Sequence, residues 1–366
     1  MTSGTNSGVD ISKALENLYP SYLKSHSDLE DALKISDPRV FALWHKYTML
    51  STVINLANIA PTYRGPRHKK LFPKLREFLS QYEKTRIDGV KAAFAYVDTR
   101  NTVLAKGLDV GAYLPESPYV VHALLEGQVP NPRYSNPGMA RVTPVEVKWD
   151  TYAGTEAKSK FEGMFCDVLS ADLPHLVKAA YVQLITVYLH PFVDGNGRVS
   201  KLLYLLFAGS ELPRGIDFNL FEVISQDKEA FESSQLDAIS GVIKGEFNMS
   251  SNPVSIYFLE KSIEGAKLGL RRINVLHEVT DLLAETFDIS IDLAAVICAL
   301  MVFRRAGVEF LAASLNASSQ QVGQIINELM ALRLVKLQIQ DLHGNGNGTY
   351  CISHEYTEKL VEFNYY

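Results

Sequence analysis

Cysteine is scarce in this chain. There are three, Cys166, Cys298 and Cys351, far apart, odd in number and without a CxxC pair. That argues against a disulfide framework or a structural zinc site and fits a reducing cytoplasm. Each lies in an apolar stretch and is expected to be a small buried hydrophobe rather than a reactive thiol. Positive charge is not in excess either: 36 Lys and Arg stand against 41 Asp and Glu, a formal net charge of -5. Nothing global therefore points to nucleic acid. No apolar run reaches the about 20 residues that span a bilayer, and the longest, Leu293 to Phe303, is cut off by Arg304 and Arg305. The first residues have neither the basic nor the apolar region of a signal peptide, and 1–9 read as a short disordered tail. A cytoplasmic location with no membrane partner is expected.

What is present is the composition of a globular protein, 47% hydrophobic and 21% charged over 366 residues, long enough for two or three domains. Helical spacing dominates. Val40 to Ile59 reads as a helix stopped by Pro61. The basic run from Arg64 to Arg76 reads as a solvated loop and helix start, and 72–106 as two more helices. Residues 107–137, rich in proline, read as loose. Val142, Val145, Val147 and Trp149 give a strand or small-hairpin signal, too isolated for a sheet core and better suited to a surface flap. Residues 173–189 are apolar almost all round and predict a buried helix with Pro174 in its first turn. A second apolar helix starts near Gly197, and 257–287 is helical. Over 291–353 the order is helix, helix, turn, helix, strand, turn, strand, which resembles a winged helix-turn-helix.

Between the two buried helices lies His190-Pro-Phe-Val-Asp-Gly-Asn-Gly-Arg198. Gly195, Asn196 and Gly197 stand just before a helix, so backbone N–H groups can converge on a concavity at its positive dipole end. That is an anion site suited to a diphosphate. Arg198 adds a planar fork for phosphate. Asp194 offers a hard carboxylate oxygen, the natural ligand for magnesium, which binds through one or two carboxylates and substrate phosphates. His190 titrates nearest neutrality and suits a general base. Pro191 and Phe192 are expected to point inward and stiffen the loop. These parts predict attack of a hydroxyl on a phosphorus of a nucleoside triphosphate, with pyrophosphate leaving.

At these residues the sequence resembles the Fic family, whose signature is HxFx(D/E)GNGRxxR; His190, Phe192, Asp194, Gly195, Asn196, Gly197 and Arg198 match it. The resemblance extends to Pro137-Gly138 and to Arg141, Val142, Thr143, Val145 and Val147, which look like the flap that positions the target, and more loosely to the helix over 224–236. It implies a mainly α-helical bundle with a β-hairpin flap and a protein adenylyltransferase. ATP would be the substrate, Mg2+ the cofactor, and a Tyr, Thr or Ser hydroxyl of a target protein, of a second copy or of the chain itself the acceptor. Other nucleotides or phosphocholine on the same scaffold are the enzymatic alternatives. A nucleotide-sensing, DNA-binding regulator is the other, against which the intact His190 argues.

Two positions depart from the family. Lys201 stands where the second arginine, which reaches the γ-phosphate, is usual; the charge is kept and the bidentate fork lost. An inhibitory helix [S/T]xxxE[G/N] finds its best match in Ser51-Thr52-Val53-Ile54-Asn55-Leu56, with Asn55 in place of the glutamate, so glutamate-clamp autoinhibition is expected to be absent or weak. Four segments are expected: N-terminal helices over 1–114, a catalytic core over 115–245, connecting helices over 246–290 and a winged-helix-like domain over 291–366. In that last domain Arg304, Arg305, Arg333 and Lys336 are balanced by Asp292, Glu309, Glu328 and Asp341. Gln320, Gln321, Gln324 and Asn327 have the side chains to read adenine edges, but without phosphate contacts DNA binding is disfavoured, and dimerisation or partner docking is preferred.

Overall fold

A computed structural model of the chain describes residues 11–57, 81–105, 115–127, 137–142, 145, 152, 154–209, 212, 217, 219–245, 253–338, 348–354 and 356. Among them the helices are α1 (Ile11–Lys34), α2 (Pro38–Leu56), α3 (Gln81–Ala105), α4 (Ser117–Glu126), α5 (Gly154–Ser170), α6 (His175–Leu189) and α7 (Asn196–Ala208). They continue with α8 (Leu220–Gln226), α9 (Lys228–Lys244), α10 (Pro253–Phe287), α11 (Ile291–Phe303), α12 (Val308–Leu315) and α13 (Ser319–Ala331). One antiparallel hairpin follows, β1 (Val335–Gln338) with β2 (Thr349–Ile352). The mainly α-helical class expected from the periodicity is the observed one.

The described residues fall into two compact units: the first holds those within 11–27, 52–57 and 81–266, the second those within 28–51 and 267–356. At the centre of the first is α6, buried almost all round as its sequence dictates, down to Gln183 and Thr186. It packs on α5 and α7, while α3 and α4 lie against α7. Aromatic side chains fill the space between helices: Phe165 meets Phe207 edge to face at 5.8 Å, and Tyr204 stacks on Phe258 at 4.2 Å.

Three expectations need correction in this unit. The stretch read as loose contains α4, which has proline in its first turn, where a missing N–H loses nothing. The helix expected over 224–236 is two helices, broken at Asp227 between α8 and α9. Cys166 is exposed and Cys351 half-buried, whereas Cys298 is buried as expected. On α5 the helical period turns Phe161, Phe165 and Val168 inward and leaves Cys166 on the outer face.

In the second unit α11 starts at a Ser290 cap and buries every residue from Leu293 to Val302. Ser318 and Gln321 form a reciprocal capping box that starts α13 after the turn at 316–318. The hairpin aligns Val335 with Ile352 and Gln338 with Thr349. Helices and strands thus follow the expected order over 291–353, with most of the polar tip outside the described residues. The strand signal near 139–149 is described only at 139–142 and at 145, where no strand forms.

Candidate active site

The chain leaves α6 through His190 in a left-handed conformation, φ 47°. This cap swings the imidazole back so that Nδ1 lies 2.6 Å from the Val187 carbonyl oxygen. A carbonyl can only accept, so Nδ1 carries the proton and Nε2 is the basic nitrogen. Burial lowers the pKa of His190, and the Arg141 charge lowers it further, against the Val187 carbonyl and Asp194, which raise it. The ring is therefore neutral at physiological pH, as a proton acceptor must be.

Behind the histidine the loop is tied at several points. Arg141, 2% exposed, donates from Nε to the His190 carbonyl at 2.6 Å and from Nη2 to the Tyr152 carbonyl at 3.0 Å. Its backbone N–H donates to the Pro191 carbonyl at 2.8 Å. Phe192 is buried, and the Asn196 side chain both accepts from its N–H and donates to its carbonyl, at 3.0 and 2.8 Å. From α4, His122 stacks on the Phe192 ring at 4.0 Å between centroids and accepts from the Gly138 N–H at 3.0 Å. Burial pushes the His122 pKa down to about 4, so this imidazole is a neutral spacer.

Gly195 then takes φ 81° at the N-cap of α7, with no side-chain cap on the helix. The first N–H groups of α7 are left to face whatever the loop encloses. Arg198, 3% exposed, has Nη2 at 2.8 Å from Glu126 Oε1 and 3.6 Å from Asp194 Oδ2. Its buried Nη1 has no hydrogen-bond partner. An orphaned buried donor beside an uncapped helix N-terminus is the signature of an anion site.

The Asp194 side chain is 59% exposed, with Oδ1 accepting the Gly195 N–H at 2.6 Å. Among the described residues no three His, Cys, Asp or Glu side chains cluster as a metal cage. The donor set suits a cation held by one carboxylate and by phosphate oxygens, the habit of magnesium. Lys201 is half-buried one turn along α7, its Nζ 5.7 Å from the Phe221 ring centroid. Burial, aided by Arg86 and Lys228, brings its pKa down to about 8.

The loop thus brings His190, Asp194, Gly195, Asn196, Gly197 and Arg198 together. Because the Asn196 amide is engaged with Phe192, this residue offers an anion its backbone rather than its side chain. Of the flap residues, Arg141 is buried, Val142 is exposed and Val145 is half-buried; Thr143 and Val147 lie outside the described residues. On α2, Ser51 is buried and Asn55 half-buried. Sequence reasoning missed His122 and Glu126. Their signal was a polar pair at i, i+4 within an apolar stretch that follows Pro118, which puts both on one face of a helix.

Residues 119–208 match the family model described as the Fic/DOC family. Among solved structures the chain is similar to a Fic family protein from Desulfovibrio desulfuricans, at 14% identity and TM-score 0.48, covering 97% of this chain and 98% of that one. It is similar to Fic-1 from C. elegans, residues 134–508, at 18% identity and TM-score 0.47, covering 72% and 74%. A Fic domain containing signaling protein from Bacteroides thetaiotaomicron gives 18% identity and TM-score 0.47 over 71% and 97%. No curated protein matches the chain.

Proposed function

We propose that the chain is a Fic-type transferase that moves AMP from ATP to a Tyr, Thr or Ser hydroxyl of a protein. One juxtaposition carries this reading. A histidine whose Nδ1 proton is fixed by Val187 sits in the same loop as an uncapped helix N-terminus holding a buried arginine with an orphaned Nη1. Sensing a nucleotide would need the anion site alone; transfer also needs the base.

His190 Nε2 takes the proton of the incoming hydroxyl, whose oxygen bonds to the α-phosphorus. The bond from that phosphorus to the bridging oxygen breaks, and pyrophosphate leaves with the electron pair. The α7 N–H groups, Arg198 and Lys201 bind the phosphates and stabilise the charge that develops on them. Magnesium, held on Asp194, would supply further charge neutralisation. Phe192, Asn196 and Arg141 hold the loop still, so the base and the anion site keep their spacing through the reaction.

The test is intact-mass spectrometry of the purified chain and of its H190A variant, each incubated with ATP, magnesium and candidate acceptor proteins. A gain of one AMP, on the chain or on an acceptor and only with the wild type, is the expected result. Equal modification by the variant would remove His190 from the chemistry, and modification only with another nucleotide would change the donor.

A further inference from the structure

Two charged side chains meet almost out of reach of water: Arg198 is 3% exposed and Glu126 is 4%. An ion pair so placed costs desolvation on both sides and is weak evidence for stability alone. Its geometry says more. Glu126 lies one turn beyond His122 on α4, and its Oε1 rests against the Cα of Gly195, where an added Cβ would come within 2.8 Å. From there it engages Nη2 of Arg198 at 2.8 Å, an ion pair aligned off the hydrogen-bond direction, and leaves Nη1 with no partner. A guanidinium is a rigid planar fork, so holding one nitrogen aims the other.

The charges around the pair favour an anion. α3 approaches α4 so closely that a Cβ at Gly89 would lie 2.3 Å from the Leu125 carbonyl oxygen. Arg86, one turn earlier on α3, acts electrostatically on both Glu126 and Lys201. Arg86 and Lys201 thus add positive charge near the Glu126–Arg198 pair.

We infer that Glu126 is the positioning residue of the nucleotide site: it holds Arg198 from α4 so that Nη1 is presented to a phosphate. This deepens the reading above and rests on it. Glu126 touches no reacting atom; it acts through Arg198, with His122 on the same helix face steadying Phe192.

The test is calorimetric binding of ATP and magnesium to wild type, E126Q, R198K and E126Q/R198K, alongside kinetics of AMP transfer. E126Q keeps the shape and loses the charge. Its Kd for ATP is expected to rise about tenfold, with a matching rise in KM and kcat within about twofold, because the support acts on binding. In the R198K background E126Q is expected to add nothing, the mark of two residues acting as one. Circular dichroism checks that each variant is folded, and E126D, which restores the charge, should recover part of the affinity. Unchanged or tighter ATP binding by E126Q, or a full additional loss in the R198K background, would overturn the inference. If the wild type binds ATP and transfers no AMP, the proposed function falls while the four Kd values still decide the role of Glu126. If it binds no ATP, both fall.

Discussion

Gly195 meets two constraints at once. Its φ of 81° is one that L side chains rarely adopt, and its Cα faces the buried Glu126 carboxylate. G195A would add left-handed strain of about 1–2 kcal/mol and press a methyl against Oε1 at 2.8 Å. The expected result is a lower melting temperature together with weaker ATP binding, read by thermal unfolding with and without ATP. A variant that melts like the wild type would mean the loop relaxes freely. Lys201 gives a pH signature. Its pKa in the fold, about 8, lies below the 10.5 of an unperturbed amine. Between those values the unfolded chain binds more protons, so this residue's contribution to stability rises with pH across that window; below about 8 the penalty is fully present. A phosphate beside the amine favours its charged form. ATP binding near pH 8.5 should therefore take up a proton, visible as a dependence of binding heat on buffer ionisation enthalpy. K201R should bind ATP without that uptake, because an arginine stays charged throughout.

At the scale of elements, α4 organises the loop, and His122 is the handle for testing it. With a folded pKa of about 4 against 6.5 in the unfolded chain, His122 contributes stability fully above pH 6.5. That contribution is lost as pH falls towards 4, a span of at most about 3 kcal/mol. His26, also lowered to about 4, acts with the same sign, and Asp217, raised to about 7, with the opposite sign, so the wild-type curve alone does not isolate His122. The difference between wild type and H122Q does. H122Q is expected to melt lower at pH 7, having lost the stack on Phe192, and the gap should narrow by pH 5; a gap independent of pH would show that His122 does not titrate in this range. α4 also marks where the sequence stopped being legible. The candidate loop was readable because its chemical groups and its backbone requirements lie in nine contiguous residues between two helices with unmistakable periodicity. α4 was hidden by prolines at 115, 118, 130, 132 and 137, of which only Pro118 lies inside the helix, in a turn that tolerates it. Glu126 pairs with a residue 72 positions further on, and no local period encodes such a contact. The buried position of Arg141 was equally hidden, since its partners are backbone carbonyls of Tyr152 and of the end of α6.

For the whole molecule, the question is what the second unit adds to a candidate site whose residues lie in the first. Its order of three helices and a hairpin invites a DNA-reading role, and α13 carries Gln320, Gln321, Gln324 and Asn327, able to pair with adenine. Affinity for duplex DNA, however, comes largely from cations set against phosphates. α13 has none, and the nearest, Arg333, follows it at a left-handed turn with φ 60°. The end of α13 and the start of the hairpin instead expose Met330, Leu332 and Leu337, side chains suited to a protein surface and not to a phosphate backbone. Fluorescence anisotropy with random duplex DNA should accordingly show no saturation at concentrations below about 10 μM in 0.1 M salt, no tighter than weak non-specific binding. If binding tightened steeply on lowering the salt, the slope would count the phosphates contacted, and charge reversal at Arg304, Arg305, Arg333 and Lys336 would show whether those four supply the contacts. A flat salt response would remove the phosphate backbone as a ligand of this unit.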